Sequence, residues 1–330
     1  MTTRRQFVQA TAGTALMGAL GLQNALAQAG LDMVKIVNGF PAGGTADLTS
    51  RRVADKLPGA GYGKTAIVEN KTGAAGRIAV EAVKNAPADG SVLLLTPYSM
   101  ISIYPHIYKT LSYDPFKDVV PVCLGSSLSH GLAVGPLVPA SVKTVKDFIA
   151  WAKANPNDAN YGSPAAGSTP HFLGALMGLN AGIDYKHVPY RGSVPGVADV
   201  VGGTLASMVT PHGDFIANHK AGRLRVLATS GKKRSPFLPD VPTFAEQGYP
   251  ELTVEEWFGF FAPAKTPANV IAAANTAINN ALKQPGVAEG LGVLGLLPLG
   301  GSIDDMQKEI KAQYDHWGPI VKRIGFTAES

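Results

Sequence analysis

The 330-residue chain is 45% hydrophobic and 16% charged, with 38 glycines, 24 prolines and one cysteine. That composition is globular and loop-rich, and the length suits two lobes of roughly 130 to 150 residues each better than one core. A formal charge of +5 is a weak footprint for nucleic acid, and the lone Cys123 excludes an intramolecular disulfide, a cysteine zinc site and a lipid-anchor cysteine.

Residues 1–27 read as an export signal and not as part of the fold. Arg4 and Arg5 precede an uncharged run that ends in Ala25-Leu26-Ala27, an A-x-A cleavage pattern of twin-arginine type. The apolar middle, Ala15 to Leu22, is far short of the ~20 residues that an uncleaved membrane anchor needs. Cleavage removes two arginines and no acid, taking the formal charge from +5 to +3. The expected location is the periplasm.

From residue 33 onward short apolar runs alternate with helix-like segments: MVKIVN then TADLTSRRVADKL, TAIVEN then GRIAVEAVKNA, then SVLLLT. Strand followed by helix, repeated, predicts parallel sheets with helices on their faces. The alternation breaks at YDPFKDVVPVCLGSSLSHGLAVGP, where two apolar runs, 119–124 and 131–135, follow one another without a helix; a chain leaving one lobe for another reads this way. Cys123, inside the first run, reads as a buried strand residue. A second series of units follows through LRVLATS, then a proline-rich connection, then the extended aromatic run EEWFGFFAP. Three terminal helices begin near Pro267, Gln284 and Ser302. The last opens with a serine cap and two acids and spaces Met306, Ile310, Tyr314 and Trp317 along one face. These helices have no strands of their own, so the chain returns to the first lobe: residues 31–125 plus 256–330 form lobe one and 126–255 lobe two.

No catalytic constellation is present. There is no G-x-S-x-G, H-E-x-x-H or C-x-x-C, and the seven histidines show no metal-ligand spacing. No cofactor and no metal are expected, and a hydrolase or transferase is the minor alternative. The GKKR run at 231–234 reads as a solvated loop.

Small-residue loops at strand ends carry the functional signal. NGFPAGGTAD (38–47) follows the first strand, with Thr45 as the expected cap of a helix from Ala46. GSPAAGSTPH (162–171) does the same in the second lobe, with Ser168 or Thr169 as cap and Pro170 in the first turn. From Gly162 the second loop is G-x-x-x-x-G-S-T, a phosphate loop without its lysine. A helix N-terminus attracts anions through unsatisfied N–H groups and about half a positive charge. Without lysine it favours a carboxylate over a polyphosphate. Either loop alone also reads as an ordinary strand-to-helix turn. One in each lobe is the geometry of a hinged binding protein.

The ordered segments GFPAGGTAD, VENKTGAAGRIAVEAVKNAPADGSVLLLTP, YGSPAAGSTPHFLGALM, HVPYRGSVPGVADVVGG, HKAGRLRVLATSGKKRSPFLPDVPTFAEQGYP, WFGFFAPAKTPANVI and GGSIDDMQKEI resemble the Bug-type (TctC-like) substrate-binding receptors of tripartite tricarboxylate transporters. The resemblance spans essentially everything after the signal. It implies an α/β type II periplasmic-binding-protein fold, with two mainly parallel lobes and two chain crossings at a hinge. It also implies a small mono- or dicarboxylate ligand and a membrane permease of the tripartite type as partner, with a ligand sensor for signalling as the alternative role. A monomer with no nucleic-acid partner is expected. The matching positions are Phe40, Pro41, Gly43 and Gly44 in the first loop and Ser163, Gly167, Ser168 and Thr169 in the second. Tyr190 and Arg191 precede another helix and are cleft candidates, Arg191 reading equally as a solvent-facing turn residue. The segment TPHGDF departs from the family pattern and adds His212 and Asp214 as candidates. His212 reads as a pocket donor or as a turn histidine, and Asp214 as a helix cap or a selector of a ligand amino group. Aliphatic dicarboxylate, aromatic acid and amino acid all fit these loops.

Overall fold

The computed structural model describes residues 31–328. The export-signal reading of residues 1–27 lies outside the described residues.

The first half opens with strand β1 (Met33–Asn38), helix α1 (Thr45–Ala54), β2 (Thr65–Asn70), α2 (Arg77–Lys84) and β3 (Val92–Pro97). β1 pairs in parallel with both β2 and β3. Strand β4 (Val119–Val134) follows as a single strand of 16 residues. The two apolar runs seen in the sequence are thus joined through Gly125 to Ser129. That polar stretch stays extended because it pairs with β9 (Glu255–Pro263), with bulges at Pro121/Cys123 and Leu124/Ser126. Cys123 is buried there, and burial pushes its thiol up to about 12.

The second half contains α3 (Val145–Ala154), β5 (Asn160–Ser163), α4 (Thr169–Ala181), β6 (Lys186–Pro189), α5 (Ser193–Gly202), β7 (Ser207–Pro211) and β8 (Arg225–Thr229). β5 runs parallel to β6 and β7. The far end of β4, His130 to Val134, runs antiparallel to β7 and β8. The strand order is β2-β1-β3-β9-β4-β7-β5-β6, with β8 and the short β10 (Leu297–Pro298) also on β4. Parallel pairing therefore holds on the two flanks. The centre is antiparallel, because both strands that cross between the halves run against their neighbours.

Helices α6 (Ala268–Leu282), α7 (Pro285–Val293) and α8 (Ile303–Ile324) come back onto the first half. Ser302 caps α8 in a reciprocal box: its hydroxyl accepts from the Asp305 N–H at 3.1 Å, and the Asp305 carboxylate accepts from the Ser302 N–H at 3.1 Å. Met306, Ile310 and Trp317 are buried from α8; Tyr314 instead lies half-buried against His106 and Phe116. Each half carries apolar clusters on both sheet faces, as covered parallel strands require.

The crossings are tied to each other. Ser230, just past β8, donates its N–H to the His130 carbonyl at 2.8 Å, accepts the His130 N–H on its hydroxyl at 2.9 Å and donates that hydroxyl to the Val254 carbonyl at 2.6 Å. One buried serine joins β4 to the segment entering β9.

Gly135 ends β4 where a Cβ would stand 1.8 Å from the Val200 carbonyl oxygen of α5. Backbone cannot yield there as a side-chain tip can, so Gly135→Ala is expected to cost about 1–3 kcal/mol or more by overpacking. Urea unfolding of the two proteins checks this; equal midpoints would contradict it.

Candidate functional site

Three helix N-termini converge between the halves: α1 and its loop from the first, α4 and α5 from the second. They enclose a cavity of about 40 Å³. Phe40, Pro41, Gly44, Thr45 and Ala46 line it from the first loop, and Pro164, Ser168 and Pro170 from the second. Ser193 and Val194 at the start of α5 form a third wall, Thr210 and Asp214 after β7 a fourth. The floor is made by the crossing strands and the end of β3, with Ser99, His130, Glu256 and Phe258.

The first loop is held by Asp47. Its carboxylate accepts the Gly43 N–H at 3.0 Å, Arg51 Nε at 2.9 Å and Asn70 Nδ2 at 2.9 Å. Burial works against the charge, but the Arg51, Gly43 and Asn70 hydrogen bonds outweigh it and hold the carboxyl below its ordinary range. Gly43 takes φ +89° in this turn. The helix starts one residue earlier than the sequence implies: Gly44 is the cap position and Thr45 is the first helical residue, with no side-chain cap. The reason is Asp214. Its carboxylate, from the other half, accepts the Thr45 N–H at 3.1 Å and caps α1 across the cleft. The Thr210 hydroxyl donates to the same carboxylate at 3.1 Å. Burial pushes the Asp214 carboxyl above its ordinary value, against hydrogen bonds from Ser193, Thr45 and Thr210.

The second loop is braced from beneath by two histidines stacked at 3.8 Å between ring centroids. His171 Nδ1 accepts the Gly167 N–H at 2.9 Å, and His187 Nε2 contacts the Ser163 hydroxyl at 2.7 Å. Gly167 takes φ +78°. Ser168 occupies the cap position of α4, but its hydroxyl turns back to donate to the Ala165 carbonyl at 2.7 Å instead of capping. The Thr169 N–H reaches Ser99 Oγ at 3.3 Å, and the Ser99 hydroxyl donates to Glu256 Oε1 at 2.5 Å. A chain of polar contacts therefore runs from the α4 N-terminus to the carboxylate on the floor.

His130 Nε2 stands 3.0 Å from Glu256 Oε2 but out of line for a hydrogen bond. Neither ring nitrogen has a hydrogen-bond partner, although the residue is 0% exposed. The N–H groups of Ala46 and Val194, in the first turns of α1 and α5, also have no partner among the described residues.

Of the residues the sequence singled out, the cavity brings together Phe40, Pro41, Gly44, Ser168 and Asp214. Gly43, Ser163, Gly167 and Thr169 shape the two loops from behind. Tyr190 and Arg191 line a neighbouring cavity of about 210 Å³, which Phe40 and Pro164 separate from the central one. The Tyr190 hydroxyl donates to Asp199 at 2.7 Å, and Arg191 is exposed. His212 is buried on the far side, Nδ1 beside the Ser129 hydroxyl and carbonyl at 3.1 and 2.9 Å and Nε2 beside the Ser235 hydroxyl at 2.8 Å. Its ring is occupied by the protein and does not face the central cavity. Asp214 does cap a helix, though α1 of the opposite half and not the next helix along the chain.

Sequence reasoning passed over Ser99, His130, Ser193 and Glu256. The available signal was polarity out of place: His130 in a long apolar strand, and Glu256 in the aromatic run EEWFGFFAP. Among the described residues no His, Cys, Asp and Glu group has the arrangement of a metal site, and no helix is long and apolar enough to cross a membrane.

The histidine brace makes stability depend on pH. Burial lowers His171 to about 2, with His187 adding to the effect, and lowers His187 to about 4. Burial lowers His212 and His219 as well. Folded rings stay neutral where unfolded ones, near 6.5, take up protons, so stability is complete above about pH 6.5 and falls as pH drops below it. Between pH 7 and 5 the expected loss is about 2 kcal/mol for each braced ring. Urea midpoints at pH 7, 6 and 5 should decline, and His187→Asn should flatten the slope; a level wild-type profile would refute the assignment.

Residues 49–326 match the model of the tripartite tricarboxylate transporter family receptors. Protein BugT of Bordetella pertussis is 31% identical over 293 residues, 88% of this chain and 89% of that protein. A structure of an R. palustris protein with adipate superposes at a TM-score of 0.84 with 31% identity, covering 90% of this chain and 98% of the other. The structure of the periplasmic binding protein BugD gives 0.83 with 28% identity over 90% of this chain and 99% of the other. With the family model covering most of its length and the two-lobed fold shared throughout, the chain belongs to the tripartite tricarboxylate transporter family of receptors, which are periplasmic binding proteins and not enzymes.

Proposed function

We propose that this protein is an extracytoplasmic solute receptor that closes its lobes on a small carboxylate and delivers it to a membrane permease of the tripartite tricarboxylate type. The observation that carries the reading is the cavity itself. Three helix N-termini meet around it and no lysine or arginine lines it. Helix-end N–H groups without a fixed cation suit a weakly charged anion, held by groups such as the N–H of Ala46 and Val194. The relative solved with adipate supports the carboxylate class.

Ligand contact is assigned to Phe40, Pro41, Gly44 and Ser168, with Gly43, Ser163, Gly167 and Thr169 setting the loop shapes. The lobes, 31–125 plus 256–330 and 126–255, move about β4 and the Ser230-to-β9 segment. The mature protein begins near Gln28 to Gly30, after cleavage of the leader. Intact-mass measurement of periplasmic material tests this last point, and residues 1–27 still attached would refute it.

Gly213 of lobe two packs against Leu294, which follows α7 of lobe one, and a Cβ there would sit 1.6 Å from the Leu294 carbonyl oxygen, a contact that we assign to the closed state. A wild-type protein screened against mono- and dicarboxylates should gain stability with no product formed, about 2.7 kcal/mol at a hundredfold excess over Kd. Gly213→Ala should weaken the same ligand by about 10- to 100-fold through overpacking of the closed state. Its unliganded melting temperature should hardly change, because open lobes relieve the clash. Stabilisation by phosphorylated compounds alone would overturn the carboxylate reading.

A further inference from the structure

The cavity has two electrical poles. One is formed by the N-termini of α1 and α5, where the Ala46 and Val194 N–H groups have no partner among the described residues; at α4 the Thr169 N–H already lies on Ser99 and Pro170 has none. At α1 Asp214 takes the Thr45 N–H and leaves that of Ala46. Asp214 also accepts from Thr210, so its oxygens are engaged by the protein. The opposite pole is Glu256 on the floor, 3% exposed, with Oε1 receiving the Ser99 hydroxyl. No lysine or arginine of the cavity wall faces Glu256. Beside it His130, 0% exposed, has two ring nitrogens without hydrogen-bond partners. The His130 Nε2 that stands 3.0 Å from Glu256 Oε2 is out of line for a hydrogen bond, so the carboxylate has no lysine or arginine partner and the ring keeps open hydrogen-bonding positions, an arrangement that is costly unless something in the cavity completes it.

We propose that the ligand is a short amino carboxylate, with its carboxylate on the Ala46 and Val194 N–H groups at the α1 and α5 helix ends and its ammonium on Glu256, beside His130. This rests on the carboxylate-receptor reading and narrows it. The dimensions agree: a cavity of about 40 Å³ suits a short chain. A dicarboxylate spanning the same poles would set its second carboxylate against Glu256, a like-charge contact in a site shielded from water. The walls between the poles, Phe40, Pro41, Phe258 and Val194, are apolar and match the carbon skeleton of such a ligand.

The test is calorimetric titration of the full-length mature protein with matched pairs that differ only in the ammonium: glycine against acetate, L-alanine against propionate, L-aspartate against succinate. At least one amino acid should bind about 10- to 100-fold more tightly than its deaminated partner, the range of a charge-assisted hydrogen bond. Glu256→Gln should abolish most of that preference while leaving or improving the deaminated partner's affinity. Should propionate or succinate match its amino partner in the wild type, the ammonium assignment falls and the carboxylate reading stands. An unmoved preference in a folded Glu256→Gln protein also overturns the assignment. No binding by any of the six acids overturns the short amino carboxylate, and binding of ethylamine with no carboxylate bound would remove the carboxylate reading as well.

Discussion

Two strands pass between the halves of this protein, and the bond network around Ser230 fixes where they meet. The serine holds the backbone of His130 on β4 and that of Val254 at the entry to β9. The Ser230 N–H and hydroxyl are both satisfied here, which lets a narrow crossing stay ordered without a large core of its own. Its position also determines the chemistry of the cleft. His130 is at the junction, and Glu256 is two residues beyond Val254, so the strands that permit bending also supply the polar floor. In the proposed receptor, movement of one half against the other alters the surroundings of that floor, which would couple ligand contact there to closure.

The helix ends above the floor meet their electrostatic requirement in different ways. α1 receives a carboxylate from the opposite half, 169 residues away in sequence, through Asp214. α4 is connected through Thr169 and Ser99 to Glu256. α5 contributes Ser193 and the unpartnered N–H of Val194. An anion-binding surface built from backbone groups has no charge of its own to neutralise, and its selectivity is consequently set by the acids around it. Asp214 has two consequences: it joins the two halves, and it uses a donor that a ligand carboxylate would otherwise take.

What the sequence revealed follows the range of the interactions involved. Strand-to-helix loops are local, so NGFPAGGTAD and GSPAAGSTPH are visible in a handful of consecutive residues, as is the Ser302 box on α8. The break at 119–135 marks a crossing, but its form as one continuous strand depends on pairing with β9, more than a hundred residues later. Thr45 was expected to cap α1 from local rules, and the cap instead comes from Asp214. His212 reads as a cleft residue because it neighbours Asp214 in the chain. A turn of 3₁₀ helix after β7 sends the two side chains to opposite sides, His212 into the contacts with Ser129 and Ser235. Glu256 and Ser99 acquire meaning only when β3 and β9 are placed side by side.

The same contrast separates the two histidine arrangements. His171 and His187 each have a ring nitrogen engaged, one by a glycine N–H and one by a serine hydroxyl, and stack on each other's ring faces, which makes a support under the second loop. His130 is as deeply buried and yet has open ring nitrogens. Burial alone does not distinguish a structural histidine from a functional one, whereas hydrogen-bond satisfaction does. By that criterion the paired histidines, each bonded within the protein, support the loop, whereas the floor of the cavity leaves both His130 ring nitrogens open for something bound against it.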